Sequence, residues 1–218
     1  MERPTITNAI ISPKWAVAII IIFHLVGLVG FLVSGLNASF KSLVPYHLLL
    51  MFLILILSYN ADYKRLYLFI AGVFLCGYMV EVLGVKTLGI FGNYAYGNTM
   101  GLKVADVPLL MGINWVLLIF SVGQMVKDFK IRSSSLAALV GAALLVLFDF
   151  FMEPVAMKFD YWQWHDKIIP IQNYVAWFIV SVILLKFYYA LHLKQQKYIG
   201  ITLFCSQLVF FVVLYMTI

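Results

Sequence analysis

Residues 81–97 read E-V-L-G-V-K-T-L-G-I-F-G-N-Y-A-Y-G, and the rest of the chain is organised around this stretch. A carboxylate, Glu81, sits inside an otherwise apolar run. Gly84, Gly89 and Gly92 follow, then an aromatic pair, Tyr94 and Tyr96. An ionisable group beside hydrocarbon is costly, and where one is kept it usually marks function. The segment after Glu81 is too polar and irregular to cross a bilayer, so it must fold back on the protein or lie along the interface. Residues 149–177 repeat the arrangement: Asp149 and Glu153, then Trp162 and Trp164, then Asn173 and Trp177.

Outward from these stretches the chain is apolar. Of 218 residues 64% are hydrophobic and only 11% charged, and mean hydropathy is +1.01. A water-soluble domain of this size must wet its surface and has no use for so much apolar sequence. Apolar runs near the length of a bilayer crossing fall at about 14–34, 43–59, 66–85, 106–126, 136–152, 171–191 and 198–217. The expectation is an all-α, polytopic membrane bundle of about seven transmembrane helices, one integral membrane domain over 1–218. The first run lacks a small-residue cleavage site and reads as a retained span. Cys76 and Cys205 have no metal-ligand spacing and are expected as free, buried thiols.

The net charge of +6 sits in short loops, which speaks for topology and against nucleic acid. Seven spans put Arg3, Lys14, Lys64, Arg65, Lys127, Lys130, Arg132, Lys186, Lys194 and Lys197 on one face, and Lys41, Lys86, Lys103, Lys158 and Lys167 on the other. Cytoplasmic loops carry the excess of Lys and Arg, so the N-terminus is expected in the cytoplasm of a cell (inner) membrane, with the acidic and aromatic loops on the opposite side.

Glu81, Asp106, Asp149, Glu153, Asp160 and Asp166 gather toward that opposite side. Glu81 and Asp149 each stand about one turn from the end of their span, at similar depth. Asp149 and Glu153, four apart, share a face if the helix runs on to Pro154. Glu81 precedes Tyr94 by thirteen residues and Asp149 precedes Trp162 by thirteen, while Pro108 and Pro170 each precede a tryptophan, Trp115 and Trp177, by seven. Spans three–four and five–six therefore read as candidate copies of one helix pair.

Two readings of these groups compete. Converging carboxylates suit acid–base chemistry, one acid donating a proton and another taking one from water. They also suit plain hydrogen bonding at helix ends. Tyr94, Tyr96, Trp162, Trp164, Tyr174 and Trp177 can shield a cation with their ring faces, or simply form an interfacial aromatic belt. His165 is placed to relay protons, whereas His24, His47 and His192 are scattered, and no pattern indicates a metal. A retinal photoreceptor is excluded, because residues 199–218 hold no lysine.

At these two stretches the chain resembles the membrane-integral carotenoid biosynthesis proteins, among them the γ-carotene 1′-hydratases and the haloarchaeal bisanhydrobacterioruberin hydratases. The resemblance runs over about 75–182. It rests on Glu81, Gly84, Gly89, Phe91-Gly92-Asn93-Tyr94-x-Tyr96, Gly101, Val107-Pro108, Trp115, Asp149, Pro154, Trp162-x-Trp164, Pro170, Asn173 and Trp177. The chain departs from the family pattern at Glu153, Asp160-Tyr161 and Ala176.

The resemblance implies a hydratase that adds water to the terminal double bond of an acyclic (ψ) carotenoid end, through a tertiary carbocation, without redox cofactor or metal. It implies Glu81, Asp149 and Glu153 as the acid–base groups, Asp149 or Glu81 giving the proton and Glu153 orienting or deprotonating water, with Tyr94, Tyr96, Trp115, Trp162, Trp164, Asn173 and Trp177 around the substrate. γ-Carotene, lycopene or a related ψ-end carotenoid in the lipid bilayer would be the substrate. A cyclase acting on the same end is the nearest alternative. A non-enzymatic carotenoid- or lipid-binding protein and a proton-coupled carrier stand further off.

Overall fold

The computed structural model describes residues 9–217, apart from the side chain of Lys197. Arg3, counted above with the basic face, lies outside the described residues. Seven helices follow in order: α1 (Pro13–Leu32), α2 (Asn37–Leu57), α3 (Tyr63–Thr87), α4 (Leu110–Lys127), α5 (Ser134–Lys158), α6 (Ile171–Ala190) and α7 (Lys197–Tyr215). All seven are long and apolar enough to cross a membrane, and the protein is a multi-pass membrane protein.

Local chemistry sets the helix starts. Pro13 occupies the first turn of α1, where its missing N–H costs nothing. The Asp62 carboxylate caps α3 by accepting from the Lys64 N–H at 2.9 Å, and the Ser133 hydroxyl caps α5 by accepting from Leu136 N–H at 3.3 Å. α4 is the axis of the bundle: 78% of its apolar window is buried, against at most 44% for any other helix. A helix enclosed on every side must be apolar on every side, and the run Trp115–Phe120 is.

Two short ribbons close one end of the bundle. β1 (Tyr94–Tyr96) pairs antiparallel with β4 (Trp162–Trp164), with Tyr94 opposite Trp164 and Tyr96 opposite Trp162. This register exchanges the two aromatic motifs as a two-fold axis would. β2 (Lys103–Val104) and β3 (Val107–Pro108) form a hairpin. Its loop residues Ala105 and Asp106 both have positive φ, 51° and 68°, as a two-residue turn matched to strand twist requires. At the other end Gln124 of α4 donates to the Lys194 carbonyl at 3.0 Å and accepts from Gln196 N–H at 2.6 Å. The Lys194 N–H in turn donates to the Tyr59 hydroxyl at 3.2 Å.

Three sequence expectations shift. The second span begins at Asn37 and passes through Pro45, and the fifth passes through Pro154 to Lys158. In a membrane bundle neighbouring helices compensate the proline's lost donor, so the helix continues. The fourth begins at Leu110, because Asp106 belongs to the hairpin turn. The longer α5 changes the depth of its acids. Asp149 is nine residues from the helix end, and Glu153 lies level with Glu81, five and six residues from their respective ends. Cys76 and Cys205 are free but exposed, on helix faces turned away from the protein core. The expectation of burial within the protein fails there.

Candidate active site

Gly77, Glu81 and Gly84 fall on one face of α3, at i, i+4 and i+7. The glycines make that face a trough. A Cβ on Gly77 would stand 2.7 Å from the Trp115 ring, and one on Gly84 would stand 2.6 Å from the Phe91 ring and 3.1 Å from the Tyr94 hydroxyl. Trp115 and Tyr94 therefore reach Glu81 from two sides because both glycines lack a side chain. Tyr94 and Tyr96 each donate a phenol hydrogen bond to Glu81 Oε2 at 2.7 Å, and Trp115 Nε1 donates to Oε1 at 2.9 Å. Strand alternation explains the spacing: Tyr94 and Tyr96 point to one face of β1 while Ala95 between them is exposed.

The second arm is built in the same way. Trp162 and Trp164 point to one face of β4, with Gln163 outward, and both indole N–H groups donate to Glu153 Oε2, at 2.8 and 2.7 Å. Asn173 Nδ2, in the first turn of α6, donates to Glu153 Oε1 at 3.1 Å and to Asp149 Oδ2 at 2.7 Å. The repeat suggested by spacing thus closes on Glu153, one turn beyond the Asp149 that the thirteen-residue interval selects. The two arms meet where Trp115 stacks on Trp177, ring centroids 4.5 Å apart.

Between the arms lies a small chamber of about 20 Å³, room for roughly one water. Glu81, Glu153, Tyr94, Tyr96, Trp162, Trp164, Asn173 and Trp177 line it, with Phe91 and Met111. Glu81 is 3% exposed and Glu153 2%. Burial pushes the Tyr94 and Tyr96 phenols well above their usual range, and the Glu81 carboxylate beside them adds to the shift. Both therefore stay protonated and act as donors. Asp149 is fully buried behind the chamber, its Oδ1 without a partner. Trp115 contributes through Glu81 and Trp177 and does not line the chamber. His165 lies on an exposed turn beside Asp166, and Tyr174 packs on Phe150 and does not line the chamber. Among the described residues no three of His, Cys, Asp and Glu converge to hold a metal ion.

A larger cavity, about 320 Å³, lies next to the chamber. Helices α1, α2 and α7 supply most of its wall, and Met100, Asn114, Met152, Tyr161 and Trp162 form its inner end. Its rim includes Phe23, Val26, Leu43 and Tyr46, all exposed on the outside of the bundle. Trp162 lines both spaces and is their common wall. Sequence reading missed this cavity. Its polar members His24, His47, Asn114 and Gln207 sit singly on four helices, and nothing along the chain shows that those helices adjoin.

Seven membrane-length helices around an enclosed pair of carboxylates, beside a cavity that reaches the outside of the bundle, define a multi-pass membrane protein with a buried acidic site. The chain belongs to the carotenoid biosynthesis protein family, whose profile matches residues 40–218. It is also similar to the bisanhydrobacterioruberin hydratase of Haloarcula japonica, 26% identical over 186 residues, 78% of this chain and 64% of that protein. The chain thus spans about 64% of the length of the curated relative it matches. No solved structure matches.

Proposed function

We propose that this protein is a carotenoid hydratase, adding water across the terminal double bond of an acyclic end group. One observation carries the reading: two buried carboxylates face a single chamber of one-water size, walled by tyrosine and tryptophan rings. Family membership supplies the substrate class, and the relative's printed name supplies the reaction type.

Glu153 is the proton donor to the alkene. Asp149, linked to it through Asn173, is the reservoir behind it, and its partnerless Oδ1 is the natural place for a proton. Protonation at the less substituted alkene carbon leaves a tertiary carbocation, which the faces of Trp162, Trp164, Tyr94 and Tyr96 stabilise. Glu81 accepts three donors, as Glu153 does, but has no second acid behind it, and it takes the proton from the attacking water. The water oxygen bonds to the cationic carbon and a tertiary alcohol results. One proton has entered from Glu153 and one has left to Glu81, so the addition is redox-neutral, and return of a proton from Glu81 to Glu153 across the shared chamber resets the site.

The apolar chain lies in the larger cavity with its end at Trp162, the remainder extending into lipid, and the Trp162 wall must yield for that end to meet Glu153, because the chamber as it stands has room for about one water. Ten basic residues against five favour an orientation with the carboxylate end of the bundle on the non-cytoplasmic side of the cell membrane.

Expression in a host that accumulates lycopene or γ-carotene, followed by pigment mass analysis, tests the reading. A gain of one water per ψ end supports it. A product of unchanged mass with a shortened chromophore means cyclisation and overturns it, as does the absence of any new pigment from both substrates.

A further inference from the structure

The larger cavity is not uniformly apolar. His24, His47 and Gln207 face it from α1, α2 and α7, and Asn114 from the first turns of α4. His24 Nδ1 lies 2.7 Å from the Ile20 carbonyl, which can only accept, so Nδ1 carries the proton and Nε2 is left as an acceptor. Among the described residues no group hydrogen-bonds that Nε2. The His47 ring stands edge-on to His24, centroids 4.6 Å apart, and its nitrogens make no hydrogen bond among the described residues. Gln207 is 6% exposed, as is His24, and its Oε1 is buried without a partner.

Buried polar groups are almost always satisfied. Here unmet donors and acceptors from three helices open onto one cavity, inside the hydrocarbon zone where lipid chains offer none. Helix counting places them in depth. His24 is eight residues from Leu32, Gln207 eight from Tyr215 and His47 ten from Asn37, about 12–15 Å from the helix ends that close the chamber. Glu153 is five residues from Lys158, about 7–8 Å from its end. A rod with its tip at Trp162 would therefore pass these groups about one helical turn deeper than Glu153.

From this we propose that His24, His47 and Gln207 form a hydroxyl-recognition station in the apolar cavity, selecting a polyene that already carries a hydroxyl near its reacting end. A hydroxyl both donates and accepts, and so meets the lone pair of His24 or Gln207 and the donors of His47 or Gln207 together. A hydrocarbon leaves them all unmet. The proposal rests on the carotenoid reading above and gives that substrate a more polar end than lycopene has.

The test is direct binding to the purified full chain in nanodiscs, read by quenching of tryptophan fluorescence, with lycopene against its mono- and dihydroxylated derivatives. The wild type should bind a hydroxylated derivative about tenfold more tightly than lycopene, roughly the value of one well-placed hydrogen bond. Gln207→Met and His24→Phe, both near in volume, should each erase most of that preference, read as the ratio of the hydroxylated to the lycopene affinity. Equal wild-type affinities for all pigments overturn the station but leave the carotenoid site standing. Preference untouched in both variants also overturns it, and so does equal loss for hydrocarbon and hydroxylated pigments, which marks a structural role. Binding of no pigment overturns the station and the carotenoid reading together.

Discussion

The two arms of the site hold their carboxylates with different chemistry. Glu81 is met by two phenols and one indole, Glu153 by two indoles and one amide. Each receives three donors, so both are satisfied. They differ in what stands behind them. Glu81 is backed by the Gly77–Gly84 trough and the Trp115 ring, whereas Glu153 is backed by a second acid one turn away on the same helix. A lone carboxylate surrounded by donors suits accepting a proton, and a linked pair suits holding and delivering one. The near-symmetry positions the groups, and its breaking at Asp149 gives them unlike roles.

Removing either carboxylate breaks the comparison most strongly. Glu153→Gln and Glu81→Gln should each lower hydration by about 10²–10⁴-fold, measured as product per protein in membranes. Asp149→Asn separates reservoir from donor: a loss of roughly tenfold, well short of the Glu153→Gln loss, fits the scheme, and an equal loss would make Asp149 the donor itself. Trp164→Phe and Tyr94→Phe each take one donor from a buried carboxylate, at a cost of about 1.5–3 kcal/mol. Thermal unfolding in detergent should show comparable destabilisation for the two, and a double variant close to additive would mean the arms act independently.

Gly77→Ala drives a methyl into the Trp115 ring and should destabilise by about 1–3 kcal/mol. It perturbs Glu81 directly, through the Trp115 indole, and reaches the other arm only through the Trp115–Trp177 stack. The smallest effect belongs to the surface. Lys86 bonds the fully exposed Asp106 and holds its carboxyl below the usual range. A depressed carboxyl stabilises above its unfolded value and loses that contribution as pH falls. Asp106→Asn should therefore lower the melting temperature only slightly at neutral pH, and the difference from wild type should vanish in acid, where the wild-type carboxyl is protonated as well.

Much of this was legible in the chain. Seven apolar runs gave seven helices, and the residues at 81, 94, 96, 153, 162, 164, 173 and 177 do share one chamber. The register of the second arm was not legible, because Pro154 reads as a helix stop and the bundle carries the helix past it. That displacement gave Asp149 the depth that belongs to Glu153. Asp106 was misplaced for a related reason: Val107-Pro108 continues the apolar pattern, while positive φ at Ala105 and Asp106 bends it into a hairpin. The polar groups of the larger cavity were beyond reach. His24, His47 and Gln207 are separated by up to 183 positions, and only the packing of α1 and α2 against α4 and α7 makes them neighbours.

The β1–β4 ribbon joins segments 68 residues apart, on opposite sides of two membrane crossings. During synthesis Glu81 and its tyrosines enter the bilayer before Trp162 and Trp164 exist, so the first arm waits as a half-finished wall. The chamber closes only when the second pair of helices has been inserted and its aromatic strand zips onto the first. Assembly of the site thus marks the completion of the bundle core. A nascent chain that stalls before residue 164 would be a membrane protein with helices in place and no acid chamber, inert until the last strand arrives.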